Sequence, residues 1–503
     1  MAHRSNLRRR AASAAAPGVA DRGLHLGPTP PYEPFDAATV DRLIDAAVAL
    51  LHDSGCVFEP GTEATRILRA AGCEASADGV VRFEPELVRA ALGSVSKQVR
   101  LWNRDADGFL DLDAAHTWFI PGMTCIKVYD AADGAPRDST ADDLAAVTRL
   151  ADALPNIDAV CVACKDVPRS DAGGEINEFS IMIQNTAKPL EYLCEHAASL
   201  AVAIDLAAAV RGSRAALAER PYFLQIVTPL PLGYWQTHSD QIILAARSGV
   251  PVSVGTLPIG GASTPITVAG AIVNSLATDF AGMVLGQLVR PGAFVIGSSD
   301  VSFMEPATGG IGHFNHATLA DLAMHQIRRR LGLPSFTGYA GQAAAPTFNQ
   351  DAVWEISASL MQAFFSRPAT LDYLGSLDEG ITYSLHALCL CDELAGLLRS
   401  LWRGIPVDAE SIALDVMRSV GPRGNYLALD HTASHCRDQV WPARYLGALL
   451  PTRSNGRPAL DLLERIDLDL KRIQATHEPR PLPAPTRARL GEIQARAAAA
   501  GAS

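Results

Sequence analysis

Between residues 157 and 401 the chain alternates short β-rich apolar runs with longer helix-like stretches, and few folds accept that rhythm. The runs are IDAVCVAC (157–164), LEYLCE (190–195), YFLQIVT (222–228), VPVSVGT (250–256), AFVIGSS (293–299), PSFTGY (334–339) and ATLDYLG (369–375). The pieces 175–186, 197–210, 237–248, 265–289, 316–331, 350–365 and 384–401 read as helices. Seven or eight βα units in roughly 260 residues predict a parallel sheet, and that size favours a closed (β/α)8 barrel, an α/β TIM barrel, over a doubly wound one. A dinucleotide-binding fold lacks its main support, because no early Gly-x-Gly-x-x-Gly follows a strand and opens a helix.

The flanks read differently. Residues 1–35 form a basic tail, expected to be disordered; it has no apolar core of a secretory signal. Residues 36–135 read as an α+β region, with a helix over 37–52 and hairpin turns at DADG and DAADG. The barrel is expected over 136–401, with Ser139 or Thr140 capping its first helix. Residues 402–475 return to helix, and 476–503 are Pro-rich, then Ala-rich.

A net charge of −11 argues against nucleic acid and anionic membrane as partners. The most apolar stretch, 268–289, is broken by Asn274, Asp279 and Gln287, so no membrane span is expected. Nine cysteines without framework spacing fit reduced thiols and a cytoplasmic location. Cys161-Val-Ala-Cys164 has metal-ligand spacing, but i and i+3 on a strand face opposite ways and no second pair exists, so no metal is expected. His431 and His435 lack the Glu of a zincin helix and read as structural; Gly-x-Ser-x-Gly and Walker loops are absent.

TLPIGGASTPITVAG (256–270) is a strand-to-helix junction, where barrel enzymes place their binding groups. Gly260 and Gly261 would let the backbone approach an occupant of the mouth, and Thr264 before Pro265 reads as N-cap and first helical residue. From this stretch through VLGQLVRPGAFVIG, and on through GLPSFTGYAGQ, LDEGITYSLHALCLCDELAGLLRSLWRGIPVD, ALDVMRSVGPRGNYLALDHTASH and VWPARYL, the chain resembles the trimethylamine methyltransferase family, the MttB-like corrinoid methyltransferases. The resemblance covers most of 36–450. It implies a (β/α)8 barrel and a methyltransferase that moves a methyl group from an amine to the cobalt of a separate corrinoid protein. No cofactor would then be bound by this chain itself; the corrinoid would arrive on its partner.

The trimethylamine branch of that family carries pyrrolysine in the loop that here reads GYAGQAAAPTFNQDAVWE. This chain has Ala343-Ala344-Ala345-Pro346 at the matching place and no lysine between Gly338 and Glu355. A neutral tertiary amine must be activated before it can leave, whereas a quaternary ammonium departs as a neutral amine unaided. The resemblance therefore points to the branch without pyrrolysine, with a glycine betaine-like quaternary amine as substrate.

Such a cation calls for aromatic faces within about 6 Å, each contributing roughly 0.5–2 kcal/mol. Aromatics cluster in the last three βα units: Phe314, Tyr339, Phe348, Trp354, Tyr373 and Tyr383. His313 is the candidate histidine for a substrate carboxylate, and Asp300 and Glu305 could balance the cation. A barrel enzyme with another methyl donor or acceptor, and a non-catalytic quaternary-amine-binding protein, stay open at this point, as does a homo-oligomer.

Overall fold

In the computed structural model, residues 30–501 are described except 123, 132, 313–315, 437–438, 446–452, 455–456 and 459. The expectations for the basic tail up to residue 29, and for His313 and Phe314, lie outside the described residues.

The apolar runs close into a ring of parallel strands because each is buried on both faces. Leu190–Leu193, Phe223–Val227, Val252–Val254 and Val295–Gly297 pair in parallel, in that order. Segment 157–164 joins them through the Val160–Leu190 bridge. Phe336–Thr337 pairs with Thr370–Leu374, and that strand pairs with Trp118–Pro121. The ring closes where the Asp158 N–H donates to the Phe119 carbonyl at 2.8 Å. The eighth strand thus comes from ahead of residue 136. WFIP is short and set among hairpin turns, yet it is buried at all four positions, as a barrel strand requires.

Among the described residues, no backbone ladder joins Val295–Gly297 to Phe336–Thr337. Side chains hold that seam instead. The Arg328 guanidinium donates to the carbonyls of Ser299 at 2.6 Å and Phe336 at 3.3 Å, and lies 3.2 Å from Asp279. Asp300 accepts from the Gly338 N–H at 2.7 Å.

The N-terminal helices Ala37–Asp53, Glu63–Ala70 and Pro85–Ser94 pack on the barrel helix Val268–Val289. That helix is long and apolar enough to span a bilayer by length and composition, but most of it is buried inside the protein. It begins at Val268 with Thr267 as N-cap, not at the expected Thr264-Pro265. Ile259–Gly260 pairs with Ser302–Phe303, and Gly261 N–H donates to the Thr264 carbonyl at 2.9 Å, so the chain is still turning there. The hairpin of Val99–Trp102 and Phe109–Leu112 meets the opposite end of the barrel: Trp102 N–H bonds Pro221 and Arg104 N–H bonds Ala187, each just ahead of a strand.

Candidate active site

At the mouth of the ring, strand alternation selects which residues look inward. Pairs two apart do so on four strands: Ile226 and Thr228, Ser253 and Gly255, Ser298 and Asp300, Phe336 and Gly338. With Thr256, Leu257, Asp372 and Tyr373 they line a cavity of about 50 Å³. Leu257, half exposed, marks its open side.

Asp372 and Tyr373 are consecutive, so on a regular strand only one could face the cavity. The register of Thr370–Leu374 shifts between Leu371 and Leu374, and Tyr373 takes a left-handed φ of 68°. A bulge of this kind re-aims a side chain, and a non-glycine residue held there stores strain of order 1–3 kcal/mol. Glycines make room for the ring. A Cβ on Gly338 would fall 2.7 Å from Asp300 Oδ2 and 3.0 Å from Tyr373 Cε2; one on Gly122 would fall 3.1 Å from Tyr373 Cα.

The cavity wall carries buried charge. Among the described residues Asp300 Oδ1 and Asp372 Oδ1 have no hydrogen-bond partner, while their other oxygens accept from Gly338 N–H and, at 3.2 Å, from the Thr370 hydroxyl. Burial pushes Asp300 up to about 7, with Arg328 pulling the other way. Burial and the nearby Glu191 hold Asp372 well above the usual carboxylate range, and burial alone lifts Glu191 to about 8. Gln342 is buried with both its amide atoms unpartnered; its Oε1 and the Tyr373 ring both lie within 4.0 Å of where a Cβ on Gly380 would sit. Leaving polar atoms buried and unpaired costs on the order of 1–3 kcal/mol each. A cationic ligand would favour the ionised form of Asp300 and relieve part of that cost.

The residues expected from sequence fall into separate places. Asp300 and Tyr373 line the cavity. Tyr339, one residue past Gly338, faces the other way. It lines a small pocket of about 10 Å³ with Asp321 and His325, and its hydroxyl engages Ser302. Tyr383 is buried and donates to the Leu374 carbonyl at 3.0 Å, which anchors the strand end below the bulge. Phe348 is buried with its ring 6.0 Å from that of His386. Trp354 stands 74% exposed near the start of the helix Gln350–Ser366 and is not among the residues lining the cavity.

Gly260 is needed because a Cβ there would meet the Phe303 ring at 2.3 Å, so the close approach is internal to a small three-stranded sheet. Gly261 has a φ of 91° in the turn of that sheet; Thr264 is buried beside it, and Glu305 is exposed on an outer turn. Sequence reasoning missed Asp372, Phe336, Gly338 and Gln342. The signal for Asp372, and for Glu191, was a lone acid inside an apolar run, TLDYL and LEYL.

A sequence model described as trimethylamine methyltransferase (MTTB) matches residues 3–501. The chain belongs to the trimethylamine methyltransferase family. It is a methyltransferase. Similar relatives of this family include trimethylamine methyltransferase MttB of Desulfitobacterium hafniense, 27% identical over 82% of this chain and 84% of that protein. MttB of Methanosarcina barkeri is 29% identical over 81% and 82%. Glycine betaine methyltransferase of Desulfitobacterium hafniense is 25% identical over 82% and 86%. Among solved structures, the monomethylamine methyltransferase of Methanosarcina barkeri superposes with a TM-score of 0.51 at 12% identity, over 88% of each chain. That likeness concerns the fold, and it agrees with the barrel traced from the strand pairing.

Proposed function

We propose that this family member transfers a methyl group from a small quaternary amine, of the glycine betaine class, to the cob(I)alamin-type centre of a separate corrinoid protein. The reading rests chiefly on one observation: two buried carboxyl groups, each with an oxygen that has no partner among the described residues, stand beside the Tyr373 ring at the barrel mouth. Asp300 and Asp372 hold the ammonium, the faces of Tyr373 and Phe336 take up its methyl groups, and the Gln342 amide serves a polar substituent such as a carboxylate. The transferred methyl points to the open side. Its C–N bond breaks with the electron pair kept by nitrogen, which leaves as a neutral tertiary amine; the reduced corrinoid supplies the pair for the new bond to carbon.

The chain's own contribution is alignment, because the carboxylates stabilise a cation whose charge disappears in the reaction. That same loss of charge weakens the hold on the product. No activating side chain is required, in keeping with Ala343 and Ala345, which are buried and hydrogen-bonded to the 376–379 turn. Docking of a corrinoid-bearing protein is supported by the rim. Ile126, Leu257, Ile266, Met304, Ile311 and Ile381 are large, exposed and apolar, and all lie on segments beyond the C-terminal ends of barrel strands. We place the enzyme in the cytoplasm, in keeping with its free thiols.

A panel of quaternary and tertiary amines incubated with free cob(I)alamin tests the reading, with the spectrum of methylcobalamin as readout. Turnover of a quaternary amine is expected. Turnover of trimethylamine without any quaternary substrate would overturn it.

A further inference from the structure

Strand Leu190–Leu193 carries an acid, Glu191, where the core of a barrel calls for an apolar side chain. Its neighbour fixes the direction it takes. The Tyr192 hydroxyl donates to the Glu175 carbonyl at 3.0 Å, and the Tyr192 ring lies 4.7 Å from that of Phe179, both on the helix Ala172–Asn185. Tyr192 thus faces the helix layer, and alternation turns Glu191 into the barrel. Its depth follows from the register. Leu193 is level with Ile226, and Ile226 with Ser253, and the last two line the cavity. Glu191, two residues earlier and level with Leu224, lies in the layer beneath.

Glu191 is buried, and among the described residues its Oε2 has no hydrogen-bond partner and no basic side chain pairs with it. The Val160–Leu190 bridge brings Cys161 alongside. Burial pushes the Cys161 thiol well up, and Glu191 and Asp372, on strands to either side of it, push it further. The titratable groups around Glu191 are therefore Cys161 and Asp372, with Asp300 beyond them acting on Asp372. Leu224 is apolar, and Trp118–Pro121 carries no charged residue. A buried acid without a counter-charge holds its proton, and burial lifts Glu191 to about 8. As structure alone it is a cost, because a leucine would fill the same layer without an unpaired polar atom. Its use lies in the charge of what fills the cavity above.

We propose that Glu191 is a positioning residue for that occupant, giving its proton to solvent as a quaternary ammonium enters and taking one back once the methyl group has left. The proposal rests on the reading that the cavity holds such a cation. The floor of the cavity is then neutral when empty and negative when filled. Glu191 does not touch the ligand; its charge acts across one layer of low-dielectric interior, beside Asp372 and Asp300. When nitrogen keeps the electron pair of the broken C–N bond and becomes neutral, the floor anion loses its counter-charge. A proton from solvent then returns to Glu191 by the open side. Substrate is held more firmly than product, because the floor is charged only while the ligand is.

Calorimetry of glycine betaine binding, without any corrinoid and in two buffers of different ionisation enthalpy, tests this. From pH 7.5 to pH 9, where Asp300 is already largely ionised, wild-type affinity should rise about three- to fourfold. At pH 8 the wild type should release roughly 0.3–0.5 proton per ligand. Glu191→Gln keeps size and polarity but cannot ionise. Its affinity should change less than about 1.5-fold over the same range and its proton release at pH 8 fall to about 0.1, with affinity at pH 6.5 within about twofold of wild type. Should that variant not fold, Glu191→Leu, which leaves no unpaired polar atom in the layer, takes its place with the same expected profile. A wild type that is flat above pH 7.5, or a Glu191 variant with the wild-type profile, overturns the proposal while betaine binding itself leaves the quaternary-amine reading standing. A chain that binds no quaternary amine at any pH overturns both.

Discussion

The mouth of the barrel and the 403–440 segment both present apolar side chains to solvent, yet of the two only the mouth buries acidic side chains among the described residues. At the mouth, Asp300 and Asp372 each bury an oxygen without a partner, and Tyr373 is held at a φ of 68°. The 403–440 segment buries none of its described residues and holds an exposed Arg418–Asp415 pair at 3.0 Å. Exposed apolar area by itself marks a surface that wants covering. Unpaired buried charge together with strain marks a place where a ligand is meant to complete the structure. The difference points to the mouth as the place for chemistry.

The sharpest way to break that division is to remove charge at the mouth. Asp300→Asn keeps the shape and an acceptor for the Gly338 N–H but deletes the anion, so kcat/KM for a quaternary amine should fall about 10²-fold, or about 2.7 kcal/mol. Steady-state rates with free cob(I)alamin check this; a loss below about threefold would remove Asp300 from the site. Next in size is the ring. Tyr373→Leu should weaken substrate binding roughly tenfold, within the range for one desolvated aromatic face, and should do so in Kd measured without any corrinoid. An unchanged Kd would assign Tyr373 a purely structural role.

The pH response follows with a definite sign. Asp300 titrates near 3.9 when unfolded and about 7 in the fold. Its folded value is raised, so its contribution to stability is complete below about 4 and is lost progressively as pH rises to about 7. A bound ammonium needs the ionised form. Binding should therefore tighten about tenfold from pH 6 to pH 8 for a group titrating near 7. The rise in melting temperature on adding a quaternary amine should likewise be larger at pH 8. Calorimetry should record proton release on binding at pH 6; binding that is flat or weakens with pH would contradict an anionic Asp300.

The barrel could be read from sequence because its strands are apolar on both faces and bounded by turn residues, so periodicity located seven of them. Trp118–Pro121 escaped because four buried residues among hairpins carry no period of their own. The site was half legible. Asp300, singled out for following a strand, and Tyr373, singled out among the aromatics near strand ends, both line the cavity, but Tyr339 was expected at the mouth although alternation turns it away from Gly338 and toward Asp321 and His325. Counting by two from each strand would have separated them. The Tyr373 bulge was beyond that reach, since it depends on Gly122 and Gly338 arriving from two distant segments. Likewise the GG of TLPIGGAST announced a close approach without saying whether a ligand or Phe303 makes it.

The smallest expected effect separates the two regions most cleanly. Ile405→Asp with Leu427→Asp places charge on residues outside the cavity lining, in the segment that follows the helix Leu385–Trp402. With free cob(I)alamin as acceptor, kcat/KM should stay within about twofold of wild type, because no mouth residue loses a neighbour and distant sites act additively. A variant that has lost methyl transfer would show that the 403–440 segment shapes the mouth, and the two regions would then have to be treated as one device.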